Sequence, residues 1–420
     1  MAPLPASTLS TRLVFICFVA AAVGLPVAII SISKAIVLLT GLASLLWLIR
    51  RPFAHANLSA MHAPGAVLMA LAGLALTMLW TAATMDEALG AWAKHAKLLL
   101  IPLLLFLIRS RQDALFALAT FVGLQVFLLA SSWMLWLKLP VPWATSNMAL
   151  AEYAVFSSRL DQPIMSSILA AICWHLRHLA PGRPGRYLAI AVMIAALANV
   201  LFVMQGRTGH VVVIALISLA IMWELPKPYR LLAGAAPFLL LLVFVVSSSK
   251  VRDRMDAVIQ EVGAYAKTNQ MVSSSGERLN YWYRSVQSIA EHPLTGSGVG
   301  SWHGEYKRLD RGRAPASTLG VRNPHQEYLL WGVEAGLIGI ALLCHVLLAL
   351  YRDSLKMSTA NARATQSVLA ALAISCLFNS SIYDATIGDF FCVSLGLLMA
   401  LGFHSVKKSD QLPFSNEVRS

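Results

Sequence analysis

The chain has 420 residues, of which 58% are hydrophobic and only 13% carry a charge, and its formal net charge is +13. Soluble domains carry about 25% charged residues, so this composition excludes an ordinary soluble protein and predicts a polytopic membrane protein in contact with membrane lipids. The basic residues are distributed as membrane orientation requires, so no nucleic-acid partner is expected.

Twelve apolar stretches along the chain predict an all-α protein with about twelve transmembrane helices. Several are shorter than the roughly 20 residues of a straight span, so their ends are approximate. The first stretch has features of a signal peptide, but a second follows within a few residues, so we interpret it as an uncleaved helix. The stretches are 13–30, 35–49, 63–82, 92–108, 113–137, 162–179, 187–204, 209–224, 230–247, 328–351, 364–380 and 386–404.

Lysine and arginine are distributed unevenly between the two sides of this helix array. With both termini on the cytoplasmic side, sixteen basic residues lie on that side and six in the short loops opposite. The positive-inside rule therefore predicts cytoplasmic termini, and it exempts long loops. The predicted divisions are 1–247 with nine spans, an outer loop at 248–327, 328–404 with three spans, and a cytoplasmic tail at 405–420.

The outer loop is predicted to contain two amphipathic helices, at Arg252–Tyr265 and Ser274–His292. They are expected to lie against the outer membrane surface or over a cavity. The glycine-rich run Gly296–Trp302 has neither a preceding strand nor a P-loop lysine, so it is predicted to be a flexible turn or hinge. The apolar face of the second helix consists of Leu279, Trp282, Val286 and Ile289.

The sequence around His325 predicts a histidine at the mouth of a membrane helix. Asn323 is a favourable N-cap and Pro324 a favourable first helical residue, which places His325 in the first turn. There the helix dipole disfavours the imidazolium, so the ring stays neutral as a general base requires, and a bound anion is favoured. This suggests catalysis on a lipid-linked phosphate. An interfacial histidine without a chemical role is the alternative.

Two arginines are candidates for the anion site. Arg207, in MQGRTGH, lies between two spans with almost no loop, where an ionisable residue is costly and often functional. Arg278 begins the second loop helix. Guanidinium groups bind phosphate oxygens in bidentate geometry and keep their charge, so the pair could hold a diphosphate without a metal. Snorkelling of Arg207 to headgroups and a solvated helix face for Arg278 are the alternatives.

Other polar residues near these three are weaker candidates. Arg322 adjoins His325, and Asp389 could orient a base or an acceptor hydroxyl. The basic run Lys307–Arg313 is interpreted as a contact with lipid headgroups. The chain has no HExxH, Walker, GxSxG or DxD motif, so no metal or cofactor is expected. The remaining weaker candidates are Asn323, Tyr328 and Gln205.

Several of these features together resemble the O-antigen ligase and polymerase superfamily. They are the twelve spans, the large outer loop before the last three, QGRTG at Gln205–Gly209, Glu277–Arg278, and NPHQEYLLWGVEAGLIG at Asn323–Gly339. The chain length and the moderate loop look most like the lipopolysaccharide O-antigen ligases. The resemblance implies a GT-C-like membrane glycosyltransferase of the bacterial inner membrane, with its active site facing the periplasm.

The resemblance also implies a reaction. The donor would be an O-polysaccharide linked to undecaprenyl diphosphate, and the acceptor a sugar hydroxyl of lipid A–core. Arg207 and Arg278 would hold the donor diphosphate and His325 would act at the attacking hydroxyl, with inversion and without metal or ATP.

Three alternatives remain open at this stage. An O-antigen polymerase would use another lipid-linked glycan as acceptor. An O-linking oligosaccharyltransferase would use a protein hydroxyl, and it usually carries a longer C-terminal region than the sixteen residues after the last span here. A transporter of lipid-linked glycans would also have many spans, but it would place its polar residues near the membrane centre.

Overall fold

The structure, a computed structural model, describes residues 61–108, 110–144, 147–230, 232, 234–237, 239, 274–310 and 320–406. All regular secondary structure in these ranges is helical, as predicted. The first two predicted spans, most of the ninth, the helix predicted at Arg252–Tyr265 and the C-terminal tail lie outside the described residues. The helices are α1 Ala63–Leu76, α2 Met85–His95, α3 Leu100–Leu107, α4 Arg111–Trp136, α5 Asn147–Glu152, α6 Asp161–Leu176, α7 Gly182–Ala198, α8 Arg207–Glu224, α9 Ser274–Glu291, α10 Trp302–Asp310, α11 Glu327–Ser354, α12 Thr359–Phe378 and α13 Ala385–Val406.

Six helical segments in the described part are long and apolar enough to cross a membrane. A helix satisfies its backbone hydrogen bonds internally, which is why such segments can cross hydrocarbon. Helices α1, α6 and α12 also fall on predicted spans but do not meet this criterion, and α6 has only 16 residues. The protein is therefore an all-helical membrane protein, and the total of twelve spans remains a prediction. The six segments are Met85–Leu107, Arg111–Trp136, Gly182–Val203, Arg207–Glu224, Glu327–Ser354 and Ala385–His404.

Helix α13 lies at the centre of the bundle. It packs against α3, α4 and α12, and 89% of its most apolar window is buried. A helix surrounded on all sides is expected to be apolar all round, and α13 contributes Phe390, Phe391 and Leu398 to the main hydrophobic core. On either side of it, α11 packs on α1 and α12, and α6 packs on α7 and α8.

Helix α11 is broken at Ala335 and Gly336, whose backbone angles are not helical. Gly336 has a φ of +65°, in the left-handed region that glycine adopts without strain. A kink frees backbone groups that must find other partners inside a membrane protein. The segment that follows α9 supplies them. Three backbone hydrogen bonds join the two segments: Ser297 N–H to Val333 O (2.7 Å), Gly298 N–H to Glu334 O (3.0 Å) and Leu337 N–H to Pro293 O (2.8 Å).

The glycine-rich run is held on its other side by the segment after α1. Gly298, at a φ of +92°, packs so closely on Thr81 that a Cβ at this position would overlap the Thr81 backbone. The prediction of a flexible turn or hinge at Gly296–Trp302 is therefore wrong. The run is a packed segment, called the plug below, that lies between α1 and the kink in α11. The bonds on this side are Ala82 N–H to Ser297 O (2.9 Å), Val299 N–H to Thr77 Oγ1 (2.9 Å) and Thr81 Oγ1 to Val299 O (2.8 Å).

Helix α9 is confirmed within one residue of its predicted end, but its buried face differs from the predicted one. Val286 is 54% exposed, whereas Tyr281 is 2% exposed and packs edge-on against Trp302 of α10. Helix α10 was not predicted from the sequence. This helix covers the side of α9 on which Asn280, Ser285 and Ser288 lie buried, so α9 and α10 form a small layer over the end of α11.

Candidate active site

Arg207 begins helix α8, where two glycines bring the chain close to the start of α6. A Cβ at Gly206 would overlap the carbonyl oxygen of Arg159, and a Cβ at Gly209 would overlap Pro163. The two glycines of QGRTG therefore allow close packing of α8 on α6. The Arg207 side chain remains exposed at this end of the bundle.

Arg278 projects from α9 toward the C-terminal end of α12. Its Nη1 donates a hydrogen bond of 3.3 Å to the carbonyl oxygen of Phe378, and the side chain is half-buried. Burial and the positive charge of Arg207 both lower the pKa of Arg278. The two guanidinium groups, 71 positions apart in sequence, therefore lie within electrostatic range of each other. Such a repulsive arrangement is stabilised when an anion binds between the two charges.

His325 lies before α11 rather than in its first turn. The helix begins at Glu327 with Gln326 as its N-cap, whose side chain accepts from Leu329 N–H. The predicted helix start with Asn323 as N-cap is therefore wrong. Asn323 Oδ1 instead accepts from the backbone N–H of His325 (2.9 Å), which fixes a turn with a φ of +52° at His325.

The His325 ring is half-buried between α9 and the end of the loop. Its centroid is 6.2 Å from that of Tyr281. Burial and the positive charge of Arg278 lower the pKa of His325 to about 4. The sequence predicted a neutral ring from the field of a helix terminus, but desolvation and a neighbouring arginine are the causes.

A series of polar contacts through Asn323, Asp384 and Lys97 holds the turn at His325. Asn323 Nδ2 donates to Asp384 Oδ1 (3.2 Å), and Lys97 Nζ donates to the carbonyl oxygen of Asp384 (2.6 Å). Burial raises the pKa of Asp384, while the charges of Lys97, Lys94 and Arg278 oppose this rise. Asp384 thus links the Asn323–His325 turn to the segment that follows α2 and interacts electrostatically with Arg278.

A buried cluster of His95, Glu327 and Glu334 lies beneath this loop. His95 Nε2 is 2.8 Å from Glu334 Oε2, and the three side chains are at most 1% exposed. Glu327 Oε2 accepts from the backbone N–H groups of Ile382 (2.9 Å) and Tyr383 (3.2 Å). Isolated charges are costly at such depth, and the bonds of Glu327 tie the 380–384 loop to α11.

Asp384, Lys97 and His95 were not among the residues predicted from the sequence. A signal was available, because Lys94, His95 and Lys97 lie at the end of α2 and directly after it, within an apolar segment, where ionisable residues default to a functional hypothesis. Lys94 and Lys97 were counted only as basic residues of the short outer loops. The partners of these residues lie more than 200 positions away, which local patterns do not reveal.

The weaker candidates fall in different places. Arg322 is exposed and pairs with Glu87 at the start of α2 (3.0 Å). Tyr328 donates to the carbonyl oxygen of Ala373 in α12 (3.2 Å), so its hydroxyl is engaged in helix packing. Gln205 is exposed beside Arg207, and Asp389 is buried within α13.

The basic run Lys307–Arg313 begins within α10 and is described only as far as Asp310. Lys307 is exposed. Arg308 pairs with Glu305 and Glu291, so its charge is used within the α9–α10 layer rather than left for headgroups. Residues Arg311 and Arg313 lie outside the described part of the chain.

Comparison with known proteins gives a family match over part of the chain. Residues 190–344 match the family model described as O-antigen ligase, and this region contains Arg207, Arg278 and His325. The match supports membership of the O-antigen ligase and polymerase superfamily. Members of this superfamily are membrane glycosyltransferase-like enzymes, so the sequence resemblance is confirmed at this level.

Two further similarities are weaker. An uncharacterized protein of Haemophilus influenzae is 23% identical over 176 residues, which are 41% of this chain and 44% of that protein. The aligned part therefore spans less than half of this relative. A chain from a structure concerned with the coordination of polymerization and crosslinking by a peptidoglycan synthase complex is 16% identical, with a TM-score of 0.41, over 81% of this chain and 95% of that chain.

Proposed function

We propose that this superfamily member is a lipopolysaccharide O-antigen ligase of the bacterial inner membrane. It transfers a polysaccharide from undecaprenyl diphosphate to a sugar hydroxyl of lipid A–core at the periplasmic surface, in a GT-C-like architecture. The observation that carries this proposal is the convergence of Arg207, Arg278 and His325, which come from three separate segments, at one end of the bundle.

The two arginines would hold the donor diphosphate. Guanidinium groups bind phosphate oxygens in bidentate geometry, and their fixed charge stabilises the negative charge that develops as the diphosphate leaves. The mutual repulsion that lowers the pKa of Arg278 is relieved when the anion binds. Arginine therefore supplies here what a metal supplies in many other transferases, and the proposed reaction is metal-independent.

His325 would act on the acceptor. The acceptor hydroxyl oxygen attacks the anomeric carbon, the bond from that carbon to the diphosphate oxygen breaks, and a ring nitrogen of His325 takes the hydroxyl proton. A single displacement inverts the anomeric centre. In the free enzyme the pKa of about 4 keeps the ring neutral, and the bound diphosphate would raise this pKa by offsetting the charge of Arg278, which makes the ring a better base.

The test is transfer between purified donor and lipid A–core by the purified chain in the presence of EDTA. We expect product with EDTA, and at least a hundredfold loss for Arg207→Ala, Arg278→Ala and His325→Ala, while Lys307→Ala, an exposed cation on α10, keeps full activity. Full transfer by His325→Ala and Arg278→Ala, or a strict requirement for a divalent metal, would contradict the proposal.

The acceptor distinguishes the ligase from its relatives. The same donor incubated with a second lipid-linked glycan yields longer chains if the protein is a polymerase, and a peptide with serine or threonine acceptors is modified if it is an oligosaccharyltransferase. Movement of donor across a vesicle membrane without any transfer would indicate a transporter. We expect product only with lipid A–core.

A further inference from the structure

The end of α8 opposite to Arg207 borders a second site. Helix α8 has 18 residues and is therefore about 27 Å long, so this end is remote from the arginine–histidine cluster. Two cavities meet here, of about 420 and about 660 Å³, and both are lined by His175 and Glu224. The smaller cavity is apolar and the larger one is strongly basic.

The apolar cavity lies between α6, α7 and α8. Its walls are aliphatic, with Ala171, Leu197, Ile217 and Ala220 among the lining side chains. The part of α8 from Val213 to its C-cap Leu225 borders the cavity, a length of about 18 Å. This is close to the depth of one leaflet of a hydrocarbon core of about 30 Å, so the cavity has the length and the lining of a binding site for an acyl chain.

The basic cavity holds four arginines and one glutamate. Arg363 Nη1 is paired with Glu224 Oε1 (2.8 Å), and the guanidinium of Arg177 lies 3.9 Å from the centroid of the Trp174 ring. Arg183 and Arg186 line the same cavity, and no carboxylate among the described residues lies within ion-pair distance of either. The cavity therefore has a net positive charge.

Two helices begin at this cavity without a side-chain cap. Helix α7 follows Pro181 and carries Arg183 and Arg186 in its first turns, and α12 follows Ser358, which makes no capping hydrogen bond. Thr359, the first residue of α12, also lines the cavity. Arginines at a helix N-terminus oppose the dipole, and a phosphate bound there would be stabilised by both the dipoles and the arginines.

We propose that these adjoining cavities bind an anionic phospholipid, with its phosphate among Arg177, Arg183, Arg186 and Arg363 and one acyl chain between α6, α7 and α8. The acyl chain gains little free energy by moving from an equally apolar bilayer into the cavity. The headgroup therefore determines the preference for an anionic lipid, and the apolar cavity determines where the acyl chain lies. Basic pockets between transmembrane helices on the cytoplasmic side bind anionic headgroups, and the positive-inside bias predicts that this end is cytoplasmic. The site does not depend on the transfer reaction.

The experiment is a lipid titration of the purified, delipidated full chain, followed by native mass spectrometry. Phosphatidylglycerol, phosphatidylcholine and inorganic phosphate are the three probes. We expect one phosphatidylglycerol to bind at least tenfold more tightly than phosphatidylcholine. The double variant Arg183→Ala/Arg186→Ala should weaken phosphatidylglycerol binding at least tenfold, and Ala220→Phe, which fills the apolar cavity, should also weaken it. Arg111→Ala, an exposed cation on the same predicted side but outside the cavities, should bind as the unmodified chain does.

Several outcomes would overturn the proposal. Equal binding of phosphatidylglycerol and phosphatidylcholine would indicate only annular lipid. Binding of inorganic phosphate as tight as that of the lipid would indicate a site for free phosphate. Unchanged lipid binding by Ala220→Phe would indicate that no acyl chain enters the apolar cavity. If the double alanine variant does not fold, Arg183→Lys/Arg186→Lys keeps the charge and should retain the preference for the anionic lipid.

Discussion

The backbone of His325 has a φ of +52°, in a region that residues other than glycine enter at a cost of about 1–3 kcal/mol. The cost is offset by the hydrogen bond from His325 N–H to Asn323 and by the bond from Asn323 to Asp384. Asp384 is held in turn by Lys97. The direction of the ring is therefore set by residues that need not touch a substrate.

Asn323→Ala should lower turnover while leaving donor binding nearly intact. The substitution removes both hydrogen bonds of the Asn323 side chain, and displacement of a catalytic base by about 1 Å can lower the rate by about a hundredfold. We expect kcat to fall by about 10- to 100-fold with KM for the donor changed by less than threefold, because the two arginines are untouched. Asn323→Ser keeps a hydrogen-bonding side chain and should recover part of the rate. A fall in donor affinity with normal kcat would show that Asn323 does not position His325.

The pH dependence of transfer should reflect the lowered pKa of His325. The base is active when neutral and is lost as the pH falls through its pKa, which is about 4 in the free protein. We therefore expect kcat/KM to stay level from pH 8 to about pH 5. The acid limb of kcat reports the enzyme–substrate complex. It should lie at higher pH, because the bound diphosphate offsets the positive charge of Arg278. If the acid limb of kcat/KM lay near the ordinary histidine pKa of about 6.5, burial and Arg278 would not be lowering the pKa of His325.

At the scale of elements, the plug formed by the glycine-rich run connects the site to the membrane helices. It satisfies the backbone groups freed by the kink in α11, and Gly300 N–H donates to Glu334 Oε1 (3.0 Å). Glu334 contacts His95 in turn. The plug, α2 and α11 thus share one set of buried polar contacts beneath the 380–384 loop.

Gly298→Ala should destabilise the protein by about 2 kcal/mol or more. The φ of +92° is strained for alanine and its Cβ would overlap the Thr81 backbone. Gly304→Ala is the matched control, because no atom lies within 4 Å of its added Cβ and alanine is about 1 kcal/mol better than glycine inside a helix. Thermal unfolding in detergent should therefore show a lower midpoint for the first variant and an equal or higher one for the second. Equal midpoints would indicate that the run is loosely packed.

The sequence predicted the elements that local patterns determine. The end of α9 was predicted within one residue, because Pro293 cannot continue a helix, and the near absence of a loop placed Arg207 between two spans. The start of α11 was predicted wrongly because an asparagine before a proline suits both an N-cap and a turn that accepts from a nearby N–H. The choice between them involves Asp384, which lies 61 positions away and bonds to Asn323.

The plug could not be predicted for a related reason. Alternating glycines indicate backbone freedom, and a free loop uses that freedom for motion while a packed one uses it for close contact. Only the contacts of Gly298 with Thr81 and of Ser297 with Val333 decide between the two. Both partners belong to other helical segments, so the information is absent from the local sequence.

At the scale of the whole molecule, the two ends of the bundle have different chemistry. One end brings together Arg207, Arg278 and His325, and the other holds the basic cavity between α7 and α12. The length of α8, about 27 Å, nearly matches a hydrocarbon core of about 30 Å, so the two ends should face opposite sides of the membrane. Because long loops are exempt from the positive-inside rule, the basic residues of the outer loop do not contradict this orientation.

Cysteine labelling in intact cells tests this orientation directly. Lys307→Cys on α10 should react with a membrane-impermeant maleimide added from the periplasmic side, because Lys307 is exposed beside the proposed active site. Arg186→Cys at the start of α7 should react only after the inner membrane is opened. The native chain is the control for background labelling, because Cys344 on α11 is exposed whereas Cys173, Cys376 and Cys392 are buried. Labelling of both variants from the same side would mean that α8 does not cross the membrane. Labelling in the reverse order would place the arginine–histidine cluster on the cytoplasmic side, which contradicts the proposed periplasmic transfer.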